Sequence, residues 1–196
     1  TAGRLAPLGA KARAEGDLKT ALTVYAAAAE ARPKDVTVLM AYAATLYQSG
    51  DVDGALDPLM RAAAEAPDRA PVRASLAAAF RKKGSLKEAE REYREALRAD
   101  AAYLPALEGL GALLVSTGRP AEAVEPLRAA LTASPGDSEA LLALARAMRL
   151  SGDLAGAAAA LRDAAAGNDA ALLNEAGAVA YAQGTWAEAG TLFARS

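Results

Sequence analysis

Apolar residues recur along this chain with the period of an amphipathic helix, in pairs of short segments separated by a glycine. In residues 36–69, the first segment has an apolar face at the spacing i, i+3, i+4, i+7, formed by Leu39, Tyr42, Ala43 and Leu46. After Gly50, the second segment has an apolar face formed by Val52, Ala55, Leu59, Ala62 and Ala63. Glycine supplies the backbone conformation that ends a helix, Asp51 can cap the next helix, and Pro67 stops it. The pattern predicts two helices joined by a tight turn.

The same pair of segments repeats along the whole chain. The first four intervals between the turn glycines are 34 residues and the last is 32, which places these glycines at Gly16, Gly50, Gly84, Gly118, Gly152 and Gly184. A period held this closely indicates one helix–turn–helix unit copied in tandem. We therefore predict a single all-α solenoid domain over residues 1–196, with repeats at about 2–35, 36–69, 70–103, 104–137, 138–169 and a partial repeat at 170–196.

Equivalent positions of the repeats carry similar residues. The predicted core stripes of the other first helices are Leu5, Leu8, Gly9 and Ala12; Leu76, Ala77 and Phe80; Leu107, Leu110, Gly111 and Leu114; Leu141, Leu144, Ala145 and Met148; and Leu173, Ala176, Gly177 and Ala180. Second helices carry alanine, a bulky residue and alanine, as in Ala21, Tyr25 and Ala28; Ala89, Tyr93 and Ala96; Ala123, Leu127 and Ala130; and Ala157, Leu161 and Ala164. Small residues let helices approach closely, and the bulky residue fills the space between repeats.

At these positions the chain resembles the tetratricopeptide repeat family, whose unit is also a helix–turn–helix of 34 residues. The resemblance rests on the Leu-x-x-Leu-Gly motif from Leu107 to Gly111 and on the later alanine, aromatic residue, alanine and proline. It covers five full repeats and most of a sixth. It implies a right-handed superhelical solenoid of antiparallel helix pairs, in which first helices line a concave groove and second helices form the convex back.

Two features depart from a regular repeat. Pro58 and Pro126 fall inside second helices, where each removes a backbone hydrogen bond and favours a kink. The fifth repeat is two residues short, and we expect a local tilt of the helices near Gly167 and Asn168.

The stripe opposite the core stripe on each first helix is the candidate binding surface. It has small residues between bulky or charged ones, and the predicted partner-binding residues are Met40, Ala44, Tyr47, Ala74, Ala78, Arg81, Lys82, Glu108, Ala112, Val115, Leu142, Arg146, Arg149, Asn174 and Tyr181. Small side chains let a partner backbone approach, and tyrosine and methionine supply contact area, which suits a partner helix or an extended peptide. Alternatively, the alanines only reflect the composition, and Met40, Tyr47 and Leu142 pack between repeats.

Four cations on this stripe, Arg81, Lys82, Arg146 and Arg149, are suited to charge-assisted hydrogen bonds with an acidic partner segment. The alternative is that they are solvated or paired with Glu108 and Glu139. Chaperone-binding members of the family resembled here hold a carboxylate with lysines and asparagines on the first helices. The corresponding residues of the first three repeats are Ala6, Ala10, Ala41, Pro71 and Ser75, so a chaperone C-terminus is not the expected ligand.

A dense run of charges at residues 87–95 lies on a second helix. Glu90 with Arg94, and Arg91 with Glu95, have the spacing of i,i+4 ion pairs. This spacing predicts a solvated convex face.

Composition excludes several kinds of chemistry. The 196 residues include no cysteine and no histidine, so thiolate and imidazole metal sites, cysteine nucleophiles and histidine bases are excluded. No catalytic cluster stands out, and we predict no enzymatic activity, no cofactor and no metal. The net charge of −2 provides no basic field for nucleic acid, and no apolar run is long enough to span a membrane. The cellular compartment cannot be read from this sequence.

These observations predict a protein–protein interaction scaffold that binds a partner segment in the groove, with bacterial pilus, secretion, motility or envelope assembly as the expected setting. Two alternatives remain open: self-assembly through the solenoid ends, and a regulatory arm of a larger enzyme. The apolar residues Trp186, Leu192 and Phe193 in the last helix favour self-association at the C-terminal end. They also predict that the native chain continues past Ser196.

Overall fold

The computed structural model describes residues 5–196, and within this range the chain forms paired α-helices and no strand. The helices are α1 Leu5–Ala14, α2 Leu18–Ala31, α3 Val36–Gln48, α4 Val52–Glu65, α5 Ala70–Lys83, α6 Leu86–Ala99, α7 Leu104–Ser116, α8 Pro120–Ala133, α9 Ser138–Ser151, α10 Leu154–Leu161, α11 Ala170–Gln183 and α12 Trp186–Arg195. Residues 2–4 of the first predicted repeat lie outside the described residues. None of these helices is long and apolar enough to cross a bilayer. The predicted all-α fold is confirmed.

A glycine in the left-handed region of backbone space forms the turn of each helix pair. All six predicted turn glycines have φ between +75° and +90°, a region in which L side chains are strained. In three pairs the next residue is an aspartate that accepts a hydrogen bond from a backbone N–H in the first turn of the second helix: Asp17, Asp51 and Asp153. The glycines therefore recur with this period because each turn requires a positive φ, which glycine adopts without strain.

The alanine, bulky residue and alanine of the second helices form the core between helices. Tyr25, Tyr93, Leu127 and Leu161 are all buried. Tyr25 and Leu127 each face a glycine on the first helix of their own pair. A Cβ atom at Gly9 would lie 3.0 Å from the Tyr25 ring, and one at Gly111 would lie 2.5 Å from Leu127. The glycines thus provide the close approach that the sequence predicts.

The first and last described helix pairs expose residues whose equivalents in the internal repeats are buried or, at Tyr42, partly buried. Leu8 is 55% exposed, so its prediction as a core residue is wrong. Phe193 occupies the position of Leu127 and Leu161 but is 41% exposed. Elsewhere in the chain, residues at the positions of Leu8 and Phe193 pack against the adjacent repeat. For example, Tyr42 of the second repeat packs against the cluster that contains Tyr25 of the first. Leu8 and Phe193 each have a described repeat on one side only.

The short fifth repeat ends its second helix early. Helix α10 stops at Leu161 and is followed by a 3-10 helix at Ala164–Ala166, so the prediction that Ala164 belongs to the second helix is wrong. The Arg195 guanidinium of α12 donates hydrogen bonds to the backbone oxygens of Ala165 and Gly167 at 2.9 and 2.7 Å. The irregular segment is therefore held by side-chain bonds where helix is missing.

The contacts divide the chain into two compact units. The first ends at Ala106 and the second comprises Leu107–Ser196, with the division inside α7. Pro58 lies within α4 of the first unit and Pro126 within α8 of the second, and both helices continue past the proline. The candidate residues are described below for each unit separately.

Candidate functional site

A pocket of about 270 Å³ opens between α3 and α5 in the first unit. We call it the α3–α5 pocket, and it is lined by Met40, Ala43, Ala44, Tyr47, Leu59, Ser75 and Ala78. Ala43 and Leu59 are buried, whereas Tyr47 is 39% exposed and forms an accessible wall. The Ser75 hydroxyl donates to the Pro71 carbonyl at 2.8 Å, so it has no proton left for a ligand. The pocket is therefore an apolar concavity with little hydrogen-bonding capacity.

The structure brings four of the predicted binding residues together here: Met40, Ala44, Tyr47 and Ala78. Ala74 was predicted to line the same surface, but it is buried, and Ser75 takes its place in the lining. Ala74 occupies the same repeat position as Met40, which lies 34 residues before it in the sequence. The methyl group of Ala74 is buried by its neighbours, whereas the longer side chain of Met40 reaches the pocket. Met40 is half-buried and also packs against the core.

An exposed cation follows the pocket on α5. Arg81 lies three residues after Ala78, which places it on the same helix face. Burial raises the pKa of the Tyr93 hydroxyl, the positive charge of Arg81 opposes that rise, and Tyr47 adds to it.

The cations at the end of α5 differ in their pairing. Within residues 5–196, neither Arg81 nor Lys82 has an ion pair or a side-chain hydrogen bond, and both are exposed. The next residue, Lys83, pairs with Asp53 at 2.7 Å. Among the described residues, the first unit thus presents two unpaired positive charges at the end of α5, the helix that supplies Ser75 and Ala78 to the pocket.

In the second unit, the predicted cations Arg146 and Arg149 are held by a buried carboxylate. Glu175 of α11 accepts a hydrogen bond from Arg149 Nε at 2.6 Å, and Arg146 Nε lies 3.6 Å from its other oxygen. Neither pairing partner considered from the sequence, Glu108 or Glu139, occupies this position. Glu175 stands where the four preceding repeats have Ala143, Gly109, Ser75 and Ala41. A carboxylate at a position otherwise filled by small residues is the sequence signal that could have revealed it.

Glu108 lies in a negative environment on α7. Burial raises the pKa of its carboxyl, and the charges of Asp137 and Glu139 raise it further. For a carboxyl whose pKa is raised on folding, the ionised form opposes folding. This destabilising contribution is present above the folded-state pKa and disappears as the pH falls below the ordinary value of 4.5. The negative charges around Glu108 therefore disfavour an acidic partner segment at this position.

The other predicted residues of the second unit are spread over three helices. Ala112 and Asn174 are exposed, and Val115 and Leu142 are half-buried. Tyr181 is exposed and contacts Trp186 edge to face, with ring centroids 4.8 Å apart. These residues form a polar and apolar surface in which the two arginines are already neutralised in part.

The charge run on α6 has a different arrangement from the one predicted. Glu90 and Arg94 form the expected pair at 2.7 Å. The prediction for Arg91 and Glu95 is wrong, because Arg91 pairs with Glu92 and Glu95 pairs with Arg98. Glu92 is buried and also accepts a hydrogen bond from Arg73 of α5 at 2.7 Å. This carboxylate joins two helices and does not belong to the solvated face.

Family models for tetratricopeptide repeats match most of the chain. One matches residues 12–80 and 114–172, and a second matches residues 75–138. Together with the paired helices and turn glycines, these matches show that the chain belongs to the tetratricopeptide repeat family. No curated protein sequence is significantly similar to it.

Solved structures of this family share the fold. YrrB, described as a tetratricopeptide repeat protein with an unusual peptide-binding site, is 20% identical with a TM-score of 0.76, over 87% of this chain and 89% of its own. PilF of Pseudomonas aeruginosa is 19% identical with a TM-score of 0.77, over 97% and 88%. PilW, described as a widely conserved type IV pilus biogenesis factor, is 21% identical with a TM-score of 0.76, over 97% and 90%. At these identities the likeness concerns the fold.

Proposed function

We propose that this protein is an interaction scaffold that binds a segment of a partner protein, as a helix or an extended peptide, at the α3–α5 pocket. The observation that carries this proposal is the apolar concavity bordered by the exposed Tyr47 ring, with the exposed Arg81 one helical turn after the lining residue Ala78. Burying the apolar lining against a partner side chain is favourable. Ala44 and Ala78 leave space for a partner backbone, and Tyr47 and Met40 supply contact area.

The family supports binding as the function, because its folded repeats present surfaces to partners. The peptide-binding site described for YrrB is a precedent on the same fold. We propose a role in a bacterial assembly process, such as pilus, secretion, motility or envelope assembly, for which PilW is a precedent. The candidate residues of the second unit, from Glu108 to Tyr181, are proposed as additional partner contacts.

We propose binding without catalysis, cofactor, metal or nucleic acid. Among residues 5–196, no three aspartate or glutamate side chains are grouped so that they could hold a metal ion. Burial is the main cause of the raised pKa values of the Tyr93 hydroxyl and the Glu108 carboxyl, and it does not require a catalytic role. A measurable turnover of any substrate by the purified protein would contradict this part of the proposal.

Substitutions in the pocket test the proposed site. Twelve-residue peptides selected from a random display library on the intact protein serve as the probe. Ala44→Glu and Tyr47→Glu each introduce a charge that must be desolvated on binding, and we expect at least about a tenfold loss of peptide affinity. Helicity is expected to remain nearly unchanged, because both residues are exposed. Affinity is measured by fluorescence anisotropy and helicity by circular dichroism.

The matched control is Met60→Glu, which adds the same charge at an exposed apolar residue of α4 outside the pocket. It is expected to change the affinity less than twofold, on the order of 0.4 kcal/mol. Peptides that bind the pocket variants as tightly as the unaltered protein would contradict the proposed site.

Self-association is a second candidate function, favoured by the exposed aromatic residues of the last helix pair. Trp186, Phe193 and Tyr181 are all exposed there, which leaves apolar area that a second copy could cover. Light scattering distinguishes the two functions: a concentration-dependent mass that falls in a Trp186→Ser variant supports self-association, and a monomer at all concentrations excludes it. A regulatory arm of a larger enzyme stays a prediction from the sequence.

A further inference from the structure

We propose that the α3–α5 pocket selects a partner segment in which a bulky apolar side chain lies close to a carboxylate. The apolar side chain enters the pocket, and the carboxylate bonds to the Arg81 guanidinium. This inference rests on the proposed binding function and adds to it the chemistry of the partner.

The size and lining of the pocket favour one apolar anchor. Small-molecule sites usually have volumes of about 300–1,000 Å³ and several polar groups that orient the ligand. The α3–α5 pocket has about 270 Å³, and its only polar side chains are those of Ser75 and Tyr47. The Ser75 proton is already used within α5. A leucine, methionine or phenylalanine side chain therefore fits this environment better than a polar one.

Of the two unpaired cations at the end of α5, Arg81 and Lys82, Arg81 occupies the repeat position at which an arginine binds a carboxylate in the second unit. At the equivalent repeat position in the second unit, Arg149 is held at 2.6 Å by the buried Glu175. Glu175 lies one repeat after Arg149, and the residue with the same relation to Arg81 is Gly109. No carboxylate fills that position, and Arg81 has no ion pair among the residues described. An external carboxylate can thus take the role that Glu175 has in the other unit.

Arginine also gives the contact its specificity. The planar guanidinium can donate two parallel hydrogen bonds to one carboxylate, which an amide or hydroxyl group of a partner cannot accept in the same way. Such a bond to a charged group contributes more than one between neutral groups. The preference for an acidic residue should therefore be measurable as a difference in affinity.

The spacing between the pocket and Arg81 limits the partner sequence. Ala78 and Arg81 are about one helical turn apart, which corresponds to roughly 5 Å along the axis. In an extended partner, residues i and i+2 are about 6–7 Å apart on the same side. In a helical partner, residues i and i+3 or i+4 are neighbours at about 5–6 Å. We expect the carboxylate two positions from the anchor in extended peptides, or three to four positions in helical ones.

The test uses the display-selected peptides on the intact protein, with Arg81→Gln, Arg81→Lys and Lys87→Gln variants. Lys87 is an exposed cation of α6 that lies outside the pocket, so Lys87→Gln controls for the loss of one positive charge. We expect enrichment of leucine, methionine or phenylalanine next to aspartate or glutamate at these spacings. Arg81→Gln should lower the affinity for such peptides about tenfold, Arg81→Lys should restore only part of it, and Lys87→Gln should change it less than twofold.

A peptide in which the acidic residue is changed to its amide distinguishes the two proposals. This amide peptide should bind the unaltered protein and the Arg81→Gln variant with equal affinity, because it has no carboxylate to pair with Arg81. One result overturns this inference and leaves the proposed function intact. In that result, the selected peptides show no preference for acidic residues, and their affinity is unchanged by Arg81→Gln but lost in Tyr47→Glu. Peptides insensitive to Tyr47→Glu as well, or a library without any enriched peptide, overturn both.

Discussion

Replacing Leu127 with alanine is expected to lower the unfolding free energy of the second unit by about 2–5 kcal/mol. Leu127 is 1% exposed and lies against Gly111, where even a Cβ atom would approach it to 2.5 Å. Removal of the side chain leaves a cavity, and the facing glycine has no side chain that could fill it. Urea unfolding followed by far-ultraviolet circular dichroism measures the loss. Hydrogen exchange should locate it in helices α7 and α8.

Leu150→Ala is the matched control for this substitution, because it removes the same atoms from a leucine that is 50% exposed. We expect its effect to stay within about 0.5 kcal/mol, as for other surface changes. In repeat proteins stability depends on each repeat and its contacts with its neighbours, so the Leu127 effect should decline with distance along the chain. Equal losses for the two variants would contradict the described core.

Replacing Arg149 with alanine is expected to destabilise the second unit by about 2–3 kcal/mol at neutral pH. The substitution leaves the Glu175 carboxylate buried between α9 and α11 with only the longer contact to Arg146 at 3.6 Å. The expected cost is below that of breaking a fully buried pair, because Arg149 itself is partly exposed. Chemical denaturation of the single and double variants gives the coupling between the charges.

Two variants provide the controls for this ion pair. Arg146→Ala removes the more exposed and more distant arginine, and we expect a loss below about 1 kcal/mol. The double variant Arg149→Ala with Glu175→Ala leaves no charge buried without a partner, so it should be more stable than the sum of the single effects. Similar losses for Arg146→Ala and Arg149→Ala, or strictly additive effects, would show that Glu175 is not held as described.

The helices and turns could be predicted from the sequence because they depend on local requirements. A positive φ at Gly50 or Gly84 and an aspartate cap such as Asp51 are properties of a few neighbouring residues. Repetition of the same requirement in every unit makes the signal strong. The alanine, bulky residue and alanine of the second helices were predictable for the same reason.

The outcomes that the sequence did not predict depend on neighbours in space. Leu8 has the same sequence environment as internal core residues, and its exposure reflects the lack of a described repeat in front of it. Helix α10 is short because the fifth repeat lacks two residues. The repeat period shows that residues are missing but does not specify how the helix lengths change.

The candidate site was predictable as a helix face and not as a set of contacts. The period assigned Met40, Ala44, Tyr47 and Ala78 to one surface, and the structure places them around one pocket. It did not distinguish a methyl group that stays buried, at Ala74, from a long side chain at the same position. The ion pairs were missed because the partner, Glu175, lies on another helix at a position that the other repeats fill with small residues.

The surface that contacts a bound peptide tests the central proposal most directly. Amide chemical shifts of the protein, recorded by NMR with and without a display-selected peptide, report this surface without any substitution. We predict that the largest changes fall on Ala44, Tyr47, Ser75, Ala78 and Arg81. Changes concentrated instead on the second helices, such as Met60 or the charged face of α6, or on Trp186 and Phe193, would contradict the proposal that the α3–α5 pocket is the binding site.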